Sequence, residues 1–349
     1  MKTYRIAAIP GDGIGNEVIP AGIEILDALA TKESFRLEFE HFDWSSARYL
    51  KTGAYIPEGG LEKLKTFDAI FFGAVGSPDV PDHISLWGLR LPICQGFDQY
   101  ANVRPSRVLP GVDSPLKNGK HIDWVIIREN TEGEYSGSGG RVHRGLPEEL
   151  ATETSVFTRV GVERIHKFAF ELARKRPRKH LTLVTKSNAQ RHGMVLWDEI
   201  FYEVAKNYPE VKTNRVLVDA VTTTMVLRPE TLDTIVASNL HADILSDLAA
   251  ALSGSLGIAP TANLNPERKF PSMFEPIHGS AFDITGKGVA NPIATFWTAC
   301  MMLDHLGEPN AAARLMKAIE RTTAEQVFTP DLGGVHDTRA VTSAVKRAL

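Results

Sequence analysis

The chain has 349 residues, enough for two domains or one large α/β unit, and 43% apolar with 23% charged residues is ordinary for a well-cored globular protein. A formal net charge of −3 gives no electrostatic reason to expect nucleic acid. The two cysteines, Cys94 and Cys300, form neither a disulfide framework nor a metal-ligand spacing, and no signal peptide or membrane-length apolar run is present, so a cytoplasmic α/β protein with no membrane partner is expected.

In chain order, "YRIAAI" reads as a buried strand. The glycine-rich "GDGIGN" after it (Gly11 to Asn16) resembles a phosphate loop, but its third glycine comes one place too early for a Rossmann fingerprint. No well-placed acidic strand end follows about 20 residues later. The stretch therefore reads as an ordinary strand-to-helix turn leading into "EVIPAGIEILDALA", an amphipathic helix with Pro20 near its first turn. "DAIFFGAVG" and "DWVIIREN" are further buried strands. Between the second of these and the next helix, residues 134–159 are glycine-rich, then β-prone. They fit either a long surface loop or a projecting β-arm that pairs with another subunit. "GVERIHKFAFELARKRP" is a helix stopped by Pro177, followed by the strand "HLTLVTK", the helix "MVLWDEIFYEVAKNYP", the strand "VLVDA" and the helix "HADILSDLAAAL". Asn291 and Pro292 open the helix "ANPIATFWTACMMLDHLG" as N-cap and first helical residue, and two more helices close the chain. Such alternation predicts an open α/β sheet covered by helices.

Three features carry chemistry. Asp243 and Asp247 lie four residues apart on a helix, so both carboxylates project from one face, with Asp219 at the end of "VLVDA" as a third acid. Hard cations such as Mg2+ or Mn2+ take such oxygens, although an isolated pair also fits a solvated acidic face. Arg90, Arg104 and Arg128 sit at strand or loop ends, where converging guanidinium forks suit a di-acid, although each alone also fits a surface ion pair. Tyr135 and Lys186 lie just past strand ends. The string "FEPIHGSAFDITGKGVANP" (Phe274 to Pro292) gathers small residues that permit close backbone approach to a flat ligand or phosphate.

The strings "IPGDGIG", "REN-EGEY", "TKSN", "DILSDL" and "EPIHGSA-DI-GKG-ANP", occurring in order over nearly the whole chain, resemble the metal-dependent β-decarboxylating dehydrogenases, which include isopropylmalate, isocitrate, tartrate and D-malate dehydrogenases. Within that family, "PDHISLWGLRLPICQGFDQYANVRP" is most similar to the tartrate dehydrogenase/decarboxylase branch, with D-malate dehydrogenase next. The resemblance implies a two-domain fold with a large mixed sheet flanked by helices. Residues 1–103 and 258–349 would form the cofactor side, and residues 104–257 a second domain with the dimer interface and the arm.

It also implies a site shared between the subunits of a homodimer. Asp219, Asp243 and Asp247 would bind Mn2+ or Mg2+, with Lys186 and Asp219 supplied by the neighbouring subunit. Arg90, Arg104 and Arg128 would clamp substrate carboxylates, Lys186 would be the general base on the hydroxyl, and Tyr135 the acid that protonates carbon after decarboxylation. "GDGIG" would wall the cofactor cleft. The loop from Glu275 to Asn291 would hold adenosine: His278 and Asn291 at the base, the Gly279-Ser280-Ala281 backbone near the phosphates, and Asp283 at the ribose diol, favouring NAD. Family members that use NADP tend to carry Lys-Tyr in place of Asp283-Ile284. A monovalent cation such as K+ is left open.

The segment between Arg90 and Arg104 is longer than in isopropylmalate enzymes. Trp87 stands where those enzymes cradle an isopropyl group, which favours a short polar di-acid; as plain core it would say nothing of substrate. The activity so implied is NAD-dependent oxidation, with decarboxylation, of tartrate or D-malate. The alternatives are 3-isopropylmalate dehydrogenase and a metal-dependent di-acid lyase or hydratase.

Overall fold

The structure, a computed structural model, describes residues 2–349. Its strands are β1 (Lys2–Gly11), β2 (Phe35–His41), β3 (Ala69–Ala74), β4 (Ala101–Arg107), β5 (Asp123–Glu129), β6 (Gly139–Val142), β7 (Leu150–Glu153), β8 (His180–Thr185), β9 (Lys212–Leu217), β10 (Thr234–Ala237), β11 (Pro260–Leu264) and β12 (Ser272–Pro276). Ten of them form one mixed sheet in the order β2-β1-β3-β12-β11-β4-β5-β10-β8-β9, while β6 and β7 make a separate antiparallel pair. The two wings are parallel and helix-covered. The centre, where β11 pairs with β12 and β4, and β4 with β5, is antiparallel.

Strands β3, β5, β8 and β10 are buried on both faces, which is why they read as largely continuous apolar runs rather than alternating ones. The period of two still shows in how residues divide. Phe71 packs with Ile6, Ile19 and Phe296 on one side of β3, while Phe72 packs with Ile9, Trp44 and Phe97 on the other. In β5, Ile127 joins Phe170, Trp197 and Phe201, and Ile126 joins Trp124 and Leu245. The first pair of clusters draws mainly on the two ends of the chain, the second on its middle.

Several local expectations meet their physical reasons. The helix Arg159–Lys175 ends where Arg176 turns extended (ψ 147°), as a residue before proline must. Asn291 Oδ1 accepts from the Ile293 amide at 3.0 Å and so caps the helix Ile293–Leu306, which begins one residue later than expected. Pro20 falls in the second turn of the helix Gly15–Ala30 rather than its first. "VLVDA" is not a strand to its end: β9 stops at Leu217 and the helix Val218–Leu227 follows, so Asp219 sits in a first helical turn. Residues 134–159 hold the exposed hairpin β6–β7. Among the described residues no helix is long and apolar enough to cross a membrane.

One buried histidine gives the fold a pH dependence. His166 is fully buried against Trp197 and Phe201, with Nε2 facing the Trp197 carbonyl at 3.1 Å. Burial pushes its imidazole down from 6.5 to about 3. Below 6.5 the unfolded chain takes up a proton that the folded chain refuses, so this stability is complete above 6.5 and lost as pH falls. A His166→Phe variant lacks the effect. Relative to it, wild type should lose up to about 1.4 kcal/mol per pH unit below 6.5. Urea unfolding of both proteins at pH 7 and pH 5 measures this, and an unchanged difference would refute it.

Candidate active site

The antiparallel centre of the sheet brings polar side chains into a buried row. Register sets Arg128 opposite Asn102, Asn102 opposite Asn263, and Thr261 opposite Glu275, so these residues and Arg104, two places from Asn102, share one face. They bond to one another. Asn102 Nδ2 donates to Asn263 Oδ1 at 2.6 Å and to Thr261 Oγ1 at 2.9 Å, Arg104 Nε donates to Asn102 Oδ1 at 2.7 Å, and Asn263 Nδ2 donates to Glu275 Oε1 at 2.8 Å. A buried polar network of this kind is favourable only when its members are satisfied, and here each donor fixes the next.

Asp243, on the helix Asn239–Leu252, meets this row from outside the sheet. Its Oδ1 accepts from Arg104 Nη1 at 3.1 Å and from Arg128 Nη1, and its Oδ2 from the Tyr135 hydroxyl at 3.1 Å. Burial alone would raise its pKa, but Arg128 and Arg104 outweigh burial and hold it at about 2. Arg104 is pushed the other way, down to about 10, first by burial and then by the charge of Arg128. Arg104 and Arg128 are thus two buried cations on one carboxylate; Arg104 Nη1 also donates to Ser246 Oγ (2.6 Å) and Arg128 Nε to Asn239 Oδ1 (2.9 Å). Asp247 lies one turn along the same helix face and is exposed.

Tyr135 is carried by the short turn Glu134–Ser136, and the Arg128 guanidinium lies 5.2 Å from its ring centre. Burial, then Asp243, raises its phenol pKa, so it keeps its proton at neutral pH. Arg90 is not at a strand or loop end as expected. It closes a π turn, Leu86–Arg90, inside a helical stretch from Asp82 to Gly96, where the Leu91 amide reaches back to the Leu86 carbonyl. Its buried guanidinium pairs with Glu275 Oε1 (Nη2 at 2.7 Å, Nε at 2.8 Å) and donates to Asn263 at 3.2 Å. In the single chain Arg90 is therefore tied to Glu275 on β12, beside the Asp243 group.

Lys186 and Asp219 pair with each other, Nζ to Oδ1 at 2.5 Å, at an exposed position. Within one chain they make no bond to Asp243 or Tyr135. Among the described residues, no three His, Cys, Asp or Glu side chains are gathered closely enough to hold a metal ion. Asp243 and Asp247 are two carboxylates one turn apart on one helix, and Asp219 is exposed and paired with Lys186.

A cavity of about 610 Å3 is lined by Ile14, Gly257, His278, Ala281, Asp283, Ile284, Asn291 and Asp331, among others. Its wall is made by two loops in contact. The Ile14 amide donates to the Ser280 carbonyl at 2.8 Å, and any Cβ at Gly13 (φ 55°) would collide with that carbonyl. Asp12, between these glycines, takes no part in the cavity. It is buried, accepting from Ser46 N and Oγ (both 2.7 Å) and from Gly76 N (2.9 Å). His278 is buried and held neutral by desolvation, with Nε2 unpartnered. Asp283 stands exposed on the cavity rim. Glu275 and Pro276 belong to β12 rather than to the loop, so Glu275 faces the Arg90 side and not this cavity.

Sequence reasoning passed over Asn102, Asn263 and Asp331. Asp331 Oδ2 accepts from Asn291 Nδ2 at 3.0 Å and Ser255 Oγ at 2.5 Å, and a Cβ at Gly257 would meet it at 2.5 Å. The signal available was asparagine inside apolar strand-like runs ("YANVRP", "TANLNP"), a residue depleted in strands unless it serves a purpose there.

The family described as isocitrate/isopropylmalate dehydrogenase matches residues 5–348. A probable tartrate dehydrogenase/decarboxylase, TtuC, of Agrobacterium vitis is 68% identical over 352 residues, covering 100% of this chain and 97% of its own. The D-malate dehydrogenase [decarboxylating] of Escherichia coli (strain K12) is 52% identical, covering 99% of this chain and 98% of its own. The tartrate dehydrogenase/decarboxylase of Pseudomonas putida is 50% identical with the same coverages. Among solved structures, isocitrate dehydrogenase from Methylococcus capsulatus superposes with a TM-score of 0.89 at 34% identity, over 99% of both chains.

Proposed function

The chain belongs to the isocitrate/isopropylmalate dehydrogenase family and is a decarboxylating dehydrogenase of small hydroxy di-acids, and from that premise we propose that it oxidises tartrate or D-malate with NAD and Mn2+ or Mg2+, D-malate giving pyruvate and CO2. The observation that carries the reading is the meeting of Arg104, Arg128 and Tyr135 on the Asp243 carboxylate: two buried cations for substrate carboxylates, one proton donor and one anchor for a cation. The unpartnered, neutral His278 Nε2, in a cavity that Asp283 also lines, supports an adenosine seat there. NAD held there would supply the hydride acceptor, and a divalent ion held by Asp243 and Asp247 would supply Lewis acidity.

The residues of the chain divide the remaining work. Arg104 and Arg128 fix the carboxylates through bidentate geometry, with their own positions fixed by Asn102, Ser246 and Asn239. Lys186 takes the hydroxyl proton. Tyr135, protonated at neutral pH, gives a proton to carbon once CO2 has left. That Lys186 and Asp219 make no bond to Asp243 within one chain supports the reading in which the complete site takes both from the partner in a homodimer, with the hairpin β6–β7 as an intersubunit element. The two pairs of core clusters are the basis for two lobes, residues 1–103 with 258–349, and residues 104–257.

The test is NADH formation with Mn2+ on D-malate, L-tartrate, meso-tartrate and 3-isopropylmalate in parallel. Turnover of malate or tartrate at rates at least about tenfold above isopropylmalate is expected, the size of effect a few misfitted methylenes produce. Preference for isopropylmalate would overturn the substrate reading and leave the family intact. No NADH from any of the four would favour a lyase.

A further inference from the structure

We infer that Trp87 and Gln95 are positioning residues for Tyr135: they hold the turn carrying its phenol and so govern protonation of the enolate, while leaving oxidation alone. The inference rests on the reading of Tyr135 as the acid.

The Tyr135 turn is short and makes few backbone bonds of its own. Gly133 (φ 73°) and Gly137 (φ 75°) bracket it, both in the left-handed region, and Tyr135 itself departs from helical backbone (φ −91°, ψ 16°). Gly133 exchanges backbone bonds with Val156 (2.8 and 3.1 Å), Ser136 Oγ donates to the Thr154 carbonyl at 3.1 Å, and Glu134 Oε2 accepts from the Leu240 amide at 3.3 Å. The carbonyl of Tyr135 is held from outside, by Gln95 Nε2 at 3.1 Å. One residue beyond the turn, the Trp87 indole lies against the bare Cα of Gly137, where a Cβ would meet its ring at 2.8 and 2.9 Å.

Trp87 and Gln95 are eight residues apart on the helical stretch Asp82–Gly96, so both clamps come from one element. Trp87 is also unusual among the tryptophans. It is 40% exposed, whereas Trp44, Trp124, Trp197 and Trp297 are buried. A large ring left in solvent has little core to fill, and its contact is with the turn.

The step in question is a proton transfer. When the C–C bond to CO2 breaks, its electron pair stays in the enolate. The Tyr135 O–H bond then breaks as a C–H bond forms at the carbon that lost CO2, and water returns a proton to the tyrosinate. Displacing the donor by about 1 Å can slow such a step on the order of 100-fold. Hydride transfer needs no proton from Tyr135 and is insulated from the displacement.

The experiment compares wild type with Gln95→Leu, Trp87→Ala, Trp87→Phe and the reference variant Tyr135→Phe. For each, the first-turnover NADH burst on D-malate, steady-state pyruvate release and decarboxylation of added oxaloacetate, which transfers no hydride, are measured. In Gln95→Leu and Trp87→Ala, pyruvate release and oxaloacetate decarboxylation should fall about 10- to 100-fold. In Gln95→Leu the hydride burst should stay within about threefold and become visible and KM should hold, and Trp87→Phe should keep most of the rate that Trp87→Ala loses. If Tyr135→Phe separates the two rates but Gln95→Leu and Trp87→Ala do not, the positioning role is overturned alone. If Tyr135→Phe slows hydride and pyruvate equally, the acid reading fails and takes this inference with it.

Discussion

An Asp243→Asn enzyme is expected to lose turnover by at least about 1,000-fold, near 4 kcal/mol in the barrier. The amide keeps the shape but removes the charge that Arg104 and Arg128 face, and one of the two carboxylates that would hold the cation. Stability should fall too, because two buried guanidinium groups lose their shared counter-charge. With about a third of the Asp243 side chain still exposed, a cost of about 1–3 kcal/mol is reasonable. The pH dependence has a definite sign. The folded pKa, about 2, lies below the ordinary 3.8, so the carboxylate stabilises the fold fully above 3.8 and loses that contribution as pH falls toward 2. Unfolding curves of the two proteins should therefore converge in acid. More than about a tenth of wild-type NADH formation in the variant would remove Asp243 from the centre of the reaction.

Cofactor choice should turn on Asp283. It sits exposed on the cavity rim beside Ile284, so a double change, Asp283→Lys with Ile284→Tyr, should leave the fold intact. A carboxylate accepts from a ribose diol and repels a 2′-phosphate, and a like-charge contact of that kind costs several kcal/mol. Wild type should prefer NAD over NADP by about 100-fold or more in kcat/KM, and the double variant should shrink or invert that ratio by a similar factor. Equal use of both cofactors by wild type would dismiss the role given to Asp283.

Much of the fold was legible because both wings obey simple periodicities. Strand and helix alternate there, and helix ends carry their usual marks, such as Asn291 and Pro177. The centre was not, because nothing local tells a strand whether its neighbour runs parallel or antiparallel: β11 and β12 are short, and the partners of β4, β11 and β12 are set by tertiary packing. That is why the asparagines Asn102 and Asn263 escaped notice and "FEPIHGSA" passed as one loop. Arg104, Arg128, Tyr135 and Asp243 do converge in a single chain. Asp219 and Lys186 pair apart from them, and Arg90 is engaged by Glu275 through a π turn that its sequence, with Pro92 two places on, did not announce.

The antiparallel centre has a further consequence for how the molecule comes into being. β3 and β12 are neighbours in space though about two hundred positions apart, as are β4 and β11 to a lesser degree. Closing such long loops is entropically costly and makes folding slow. During synthesis the first two-thirds of the chain emerges with β3 and β4 each lacking a neighbour, two open edges prone to wrong pairing. Only when β11 and β12 slot between them do Asn263 and Glu275 reach Asn102 and Arg90. The reactive centre is thus a keystone, set late, and truncation anywhere before residue 276 should yield an aggregating fragment rather than a weakened enzyme.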